Sequence, residues 1–293
     1  MIFDETTLQK LNTLAFIATK VRAGVLKGER RSTKRGTSIE FADYRDYVPG
    51  DDLRRLDWNV YARLDRPFIK LLEEEEDLAV HVLLDASRSM EWGEDGLNKF
   101  TYARQLTAAL STIALATGDR LTVKVLRATD RNLQFGPARG QHNLMRLLEY
   151  LQAQEAAGQT DLNQALRNYA LTALRPGLAV LISDMFSPNG YEDGFTQLLS
   201  RGYEVILIHL LSPDELDPPL AGDLQLVDVE TGATQDVSLD GAIRRGYRQR
   251  LQTWQGEIQA YCNRRGIHYL QRSTDIPWDK FVLSDLRRAG VVK

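Results

Sequence analysis

The sequence predicts an α/β fold: a doubly wound, mostly parallel six-stranded sheet, preceded by a small α+β subdomain and carrying a late β-hairpin insertion. Three observations carry this expectation. Residues 78–84, 178–183 and 204–211 are short, near-continuous apolar runs, the composition of strands buried on both faces. Segments between them repeat apolar residues at intervals of three and four, as crossover helices do. From about residue 78 onward strand and helix alternate, the order that builds a parallel sheet.

Composition sets the outer bounds. A chain of 293 residues can bury a full core, and 43% hydrophobic with 26% charged residues is ordinary globular protein. Lys and Arg total 37 against 40 Asp and Glu, so the net charge of -3 gives no general attraction to nucleic acid or anionic membrane. The single cysteine, Cys262, excludes an internal disulfide and a cysteine-based zinc cluster, and reads as a small core residue. MIFDETTLQK lacks the basic and apolar regions of a signal peptide, and no window nears 18 uninterrupted apolar residues, so the expected location is cytoplasmic.

The N-terminal subdomain is expected over residues 1–76. Leu8, Leu11, Leu14, Ala15, Ala18, Val21 and Val25 mark an amphipathic helix over residues 5–25. A basic loop follows at 27–35, with Lys27, Arg30, Arg31, Lys34 and Arg35. It reads as a solvated or partner-facing loop, the alternative being a nucleic-acid contact that lacks an interleaved aromatic for stacking. Residues 38–58 are rich in aromatics and acids around a Pro49-Gly50 turn, with Asp51 or Asp52 as a helix cap. Phe41, Tyr44, Tyr47 and Trp58 would form a small core with Arg54 and Arg55 paired locally, or else a docking surface. Residues 66–72 alternate as a strand, and the acidic run 73–77 reads as a solvated connection or a complement to the basic loop.

The second domain is expected over residues 77–293. The strand at 78–84 is followed by a helix at 98–117 whose stripe is Phe100, Ala103, Leu106, Leu110, Ile113 and Ala114, with Gly118 past its end. Strands at 121–126 and, as an edge, 133–135 come next, then helices at 142–154 and 161–174. Further strands fall at 178–183, 204–211 and 267–270, with helices at 191–200, 242–265 and 278–288. The hairpin insertion is placed near 223–239, turning at Thr231-Gly232.

In such sheets ligands bind beyond the carboxyl ends of the strands, where connections diverge to opposite faces. Asp85 and Asp184 end two buried strands, Ser87 and Ser89 follow Asp85 at steps of two, and Thr160 lies in a loop leading into a helix. These five side chains can reach one point. The set is all oxygen, which suits a hard ion such as Mg2+, Mn2+ or Ca2+. A sixth position is left for water or a carboxylate brought by a partner. Taken alone Asp-x-Ser-x-Ser is weak, since serines after a strand commonly cap helices or make turns.

DASRSM, GQTDLNQAL and LISD together resemble the three segments of the metal-ion-dependent adhesion site of von Willebrand factor type A domains. The resemblance implies that Ser87 and Ser89 bind the ion directly, Thr160 directly or through water, and Asp85 and Asp184 mainly through water. Asn163 stands where a glycine is common, and Met185 and Phe186 replace a small residue after the last Asp. Upstream, EFADYRDYVPGDDLRRLDWNVYAR followed by FIKLLEEEED resembles the bacterial domain-of-unknown-function family fifty-eight (DUF58). Members are commonly paired with MoxR-type AAA+ ATPases, which implies an adaptor or cofactor in ATP-driven protein remodelling, maturation or assembly.

Enzymatic readings are poorer. As an aspartyl nucleophile in a metal-dependent phosphatase, Asp85 would want a carboxylate two residues on, where Ser87 stands, and a lysine just before Asp184, which is absent. There is no G-x-S-x-G elbow, and His81, His142, His209 and His268 carry no paired nucleophile. His81, His209 and His268 fall inside expected strands and read as packed, hydrogen-bonded residues. Without a Walker A loop, ATP has to come from a partner. The expectation is a non-enzymatic module whose ion bridges to a carboxylate of that ATPase or of a client protein.

Overall fold

The computed structural model describes residues 4–18, 39–74, 78–93, 96–127, 134–173, 175–219, 222–227, 233–239 and 241–293. The basic loop at 27–35, residues 75–77 of the acidic run and the hairpin turn at Thr231-Gly232 lie outside them. The chain divides into two compact units, residues 25–77 and residues 1–24 with 78–293. The N-terminal segment thus groups with the sheet, where the sequence reading put it in the subdomain.

Its helix is also shorter than expected. α1 spans Glu5–Leu11, capped by Asp4, which accepts the Thr7 N–H. Beyond it Leu14, Phe16 and Ala18 are buried at steps of two, and Phe16 forms an antiparallel bridge with Val292. A short helix followed by an extended segment satisfies the same apolar spacing as one long helix.

In the small unit β1 (Ile39–Asp46) pairs antiparallel with β2 (Phe68–Glu74), with a register shift between Phe41 and Asp43. Asp52 caps a 3₁₀ turn at Leu53–Arg55. Asp57 caps α2 (Trp58–Leu64), accepting the N–H groups of Asn59 and Val60 and the Tyr44 hydroxyl. The expected aromatic core is corrected in part: among the described side chains Leu56 and Ile69 are the buried apolar residues, whereas Trp58 is 62% exposed and Tyr44 is exposed, and the Phe41 side chain lies outside the described ones. As the first residue of a two-turn helix Trp58 lies beside the cap, and the cap itself, Asp57, takes the interior place. Among the described side chains a local ion pair forms as a fork from Arg45 to Asp51, at 2.6 and 2.7 Å; the Arg55 side chain lies outside them.

The large unit is built on a six-stranded sheet in the order β10-β7-β6-β3-β4-β5. Its strands are β3 (Ala79–Asp85), β4 (Arg120–Leu126), β5 (Gln134–Ala138), β6 (Leu178–Ser183), β7 (Glu204–Leu211) and, after the separate hairpin β8 (Gly222–Val227) and β9 (Thr234–Leu239), β10 (His268–Ser273). All neighbours run parallel except β5, which closes one edge antiparallel to β4. Side chains alternate between faces along each strand, and the two cores follow from that. Val80, Val82 and Leu84 pack with α1, α3 (Lys99–Ala116), α4 (Leu144–Gln152) and the C-terminal helical run. Leu83, Ala179 and Leu181 pack with α5 (Leu162–Thr172), α6 (Glu192–Ser200) and, after the short α7 (Pro213–Leu216), α8 (Gly241–Arg265). The C-terminal run passes from Trp278–Lys280 through one π-helical turn at Phe281–Asp285 to Leu286–Arg288.

The close fit of β3 and β6 is visible at Gly177, where a Cβ would stand 2.0 Å from the Ala79 carbonyl oxygen. His81 is packed and bonds the Tyr169 hydroxyl through Nδ1 at 2.6 Å. His268 departs from expectation: on edge strand β10 its ring is exposed, 3.8 Å from Glu204 Oε1. Cys262 is a buried core residue whose thiol burial pushes up to about 12. Among the described residues no helix is long and apolar enough to cross a membrane.

Candidate functional site

From β3 the chain continues to β4 on one side, and the later strands β6, β7 and β10 lie on the other. Adjacent strands β3 and β6 therefore flank the point where connections diverge, and their carboxyl ends carry the site. Asp85 is the last residue of β3, and Asp184 follows the last residue of β6. Both are buried, as are Ser87, Ser89 and Thr160.

Asp85 accepts the Ser87 N–H on Oδ1 at 3.0 Å, a turn of the chain on its own carboxylate. On Oδ2 it accepts the Ser183 hydroxyl at 2.6 Å, and Ser183 Oγ in turn accepts the Met185 N–H at 2.9 Å. Met185 holds φ at 62°, a left-handed conformation that non-glycine residues rarely adopt. Its buried side chain fixes that turn, in which Asp184 Oδ1 accepts the Phe186 N–H. The Ser87 and Ser89 hydroxyl oxygens are 3.0 Å apart. Thr160 arrives by another route: its hydroxyl donates to the Leu126 carbonyl at 3.3 Å, and the Ala86 N–H donates to the same oxygen at 3.0 Å. Bonds from Arg88 N–H to Gly158 O and from Ala157 N–H to Ala86 O lace the two loops together.

A sixth group completes the electrostatics. Lys99, in the first turn of α3, is fully buried, and its Nζ donates to Asp184 Oδ2 and to Glu215 Oε1, each at 2.6 Å. The ammonium also stands 5.1 Å from the centre of the Phe186 ring. Glu215 belongs to a capping box with Ser212 that starts α7. Burial by itself would lower the Lys99 pKa, yet Asp184 and Glu215 outweigh it and the net direction is upward. Burial raises Glu215, with Lys99 opposing. Asp85 rises from 3.8 to about 6, through burial first and the Asp184 charge second. Below the site His209 bonds the Asp184 carbonyl through Nε2 and the Tyr269 hydroxyl through Nδ1. Burial lowers it to about 4, so it is a neutral support.

Three carboxylates and one ammonium leave the ionised cluster with two uncompensated negative charges, held among hydroxyl groups. Its donor set of two carboxylates and three hydroxyls fits a hard divalent ion, whose charge would offset those two. Among the described residues no group of three or more His, Cys, Asp or Glu side chains could hold a metal. An ion here would depend on Ser87, Ser89 and Thr160 for the rest of its shell.

The family model described as protein of unknown function DUF58 matches residues 43–256. The chain belongs to the DUF58 family. It is similar to uncharacterized proteins of Mycobacterium bovis and Mycobacterium tuberculosis, 28% identical over 299 residues, covering 99% of this chain and 93% of each relative. Among solved structures it is similar to BatB, a conserved hypothetical protein from Bacteroides thetaiotaomicron, at 13% identity and a TM-score of 0.42, over 72% of this chain and 98% of that one. It is also similar to an aerotolerance-related membrane protein from Bacteroides fragilis, at 16% identity and a TM-score of 0.44, over 73% of this chain and 98% of that one.

In this DUF58 chain all five residues singled out from sequence converge on one end of the sheet, while Lys99, Ser183 and Glu215 were missed. Lys99 had a readable signal: it precedes Ala103 by four and Leu106 by seven, which puts it on the buried stripe of its helix. Asn163, in place of a common glycine, accepts the Gly194 N–H and donates to the Asn189 carbonyl, tying α5 to the start of α6. On the rim Phe186 is 37% exposed and stacks on Trp254, while Trp92, just past Ser89, is 48% exposed.

Proposed function

We propose that this DUF58 chain is a non-enzymatic, metal-dependent protein-interaction module of von Willebrand factor type A kind, working in the cytoplasm as an adaptor or cofactor of a MoxR-type AAA+ ATPase. The observation that carries the metal part is the pairing of buried Asp85 and Asp184 among hydroxyl groups at the ends of β3 and β6, where burial first and the Asp184 charge second lift Asp85 to about 6. Ser87 and Ser89 would hold a Mg2+, Mn2+ or Ca2+ ion directly, Thr160 directly or through water, and Asp85 and Asp184 mainly through water. When bound, the ion supplies an electrophilic position that a carboxylate of the ATPase or of its client can take. Apolar Trp92 and Phe186 give such a partner residue dry neighbours. The ATPase itself is inferred from the sequence resemblance alone.

A phosphatase reading meets a lysine after all, since α3 supplies Lys99 in space. Its ammonium is engaged by Asp184 and Glu215, and Ser87 still occupies the place of a second carboxylate. Calorimetry and thermal unfolding of the whole chain with Mg2+ and Mn2+ are the direct test. We expect binding that Asp85→Ala and Thr160→Ala each weaken at least about tenfold, or about 1.4 kcal/mol; no heat and no thermal shift in the parent would remove the metal site. Capture of the ATPase that persists through chelation and Asp85→Ala would remove the bridging role.

A further inference from the structure

The opposite end of the sheet carries a second concavity, of the other charge. A cavity of about 580 Å3 opens where β4, β5 and the start of α4 meet, lined by Arg120, Arg139, His142 and Arg146 with Phe135 and Pro137 among its walls. Arg120 pairs with Ala79 at the beginning of β3, whereas Asp85 pairs with Leu126 at its end. Six residues of strand separate the two pairs, roughly 20 Å at 3.3 Å per residue, so this cavity is distinct from the carboxylate site.

Its chemistry is one-sided. Among the described residues the lining contains no carboxylate, although the whole chain has a net charge of -3. The cationic side chains come from three regular elements: Arg120 opens β4, Arg139 follows β5 and Arg146 stands in the first turn of α4. Arg120 Nε is buried and has no hydrogen-bond partner, and Arg146 reaches Asn143 Oδ1 at the 3.5 Å limit. Buried Asn143 is itself held by its donation to the Arg139 carbonyl at 2.7 Å, which fixes the loop between β5 and α4. The cavity thus gathers cationic side chains with no carboxylate in its described lining, and an oxyanion held there would offset that local positive charge.

We propose that this cavity binds a phosphate-bearing small molecule, with Arg120 and Arg146 on its phosphate oxygens and Phe135 and Pro137 against its uncharged part. The planar fork of a guanidinium matches phosphate oxygens in pairs, and the volume falls in the range of small-molecule sites. The proposal stands apart from the metal reading and would survive its loss.

The test is calorimetry of the full chain in resin-treated buffer free of divalent ions, with pyrophosphate and ADP as probes and citrate as the carboxylate control. Saturable binding of a phosphate probe is expected, weakened at least about tenfold by Arg120→Gln and by Arg146→Gln and unaffected by Arg250→Gln on exposed α8. Should Arg120→Gln fail to fold by circular dichroism, Arg146→Gln decides, because that side chain is at the surface. Absence of heat with both phosphate probes, unchanged affinity in Arg146→Gln, or citrate binding as tightly as pyrophosphate would each overturn the assignment.

Discussion

The Lys99 ammonium stands 2.6 Å from the Asp184 carboxylate with neither side chain exposed, and it shares itself with Glu215 at the same distance. Burying these charges is costly, and their mutual attraction offsets the cost only while every partner is present. Lys99→Met is therefore expected to destabilise the fold by about 3–5 kcal/mol in urea denaturation. Adding Glu215→Gln should recover part of that loss, because it removes one of the two stranded carboxylates. A loss under about 1 kcal/mol for Lys99→Met would mean that the pair is not the buried contact described.

Asp85 behaves in the opposite sense. Its folded-state value of about 6 lies above the ordinary 3.8, so the fold favours its protonated form. That contribution is present below about pH 4 and is lost as pH rises through about 6. Asp85→Asn cannot ionise, and it is expected to be more stable than the parent at pH 7.5 by up to about 3 kcal/mol, the gap closing toward pH 4. The same variant should show no Mg2+-induced thermal shift. Denaturation at three pH values reads the first point; a parent that is the more stable at pH 7.5 would refute it.

His81 supplies a slope of reverse sign and lies at a different place in the sheet. Burial lowers it from 6.5 to about 4, so its contribution is full above about pH 6.5 and is lost as pH falls toward 4. His81→Gln can still bond the Tyr169 hydroxyl but does not titrate. Between pH 6 and 4.5 its stability should fall less steeply than the parent's, by up to about 1.4 kcal/mol per pH unit. Parallel profiles would show that His81 is protonated in the folded chain.

Glycines divide into two predicted classes. Gly177→Ala would place a Cβ 2.0 Å from the Ala79 carbonyl oxygen, and a loss of about 1–3 kcal/mol or more is expected. Gly246 and Gly256 lie inside α8 with nothing within 4 Å of an added Cβ. Changing either to Ala should add about 0.5–1 kcal/mol by improving helix propensity. Melting temperatures of the three variants distinguish the cases, and a stabilised Gly177→Ala would contradict the close strand approach.

Much of the sheet was legible because buried parallel strands leave near-continuous apolar runs, as at β3, β6 and β7, and because Asp85 and Asp184 interrupt them at their carboxyl ends. The N-terminal segment was not, since its apolar spacing suits both a helix and a helix followed by an extended stretch. Trp58 was misplaced because composition records that an aromatic is apolar, whereas its exposure depends on Asp57 capping the helix beside it. For Lys99 the periodicity marks a buried position but not its partners: Glu215 lies 116 residues away, and long-range charge pairing has no periodic signature.

The carbonyl oxygen of Leu126 receives both the Ala86 N–H and the Thr160 hydroxyl. One atom at the end of β4 is therefore the pivot for two loops, one leading from Asp85 and the other into α5. Local give at that pivot is limited to the tolerance of two hydrogen bonds. The loop that leaves Asp85 and the loop that enters α5 thus share a single acceptor, so both are positioned from the same point on the sheet.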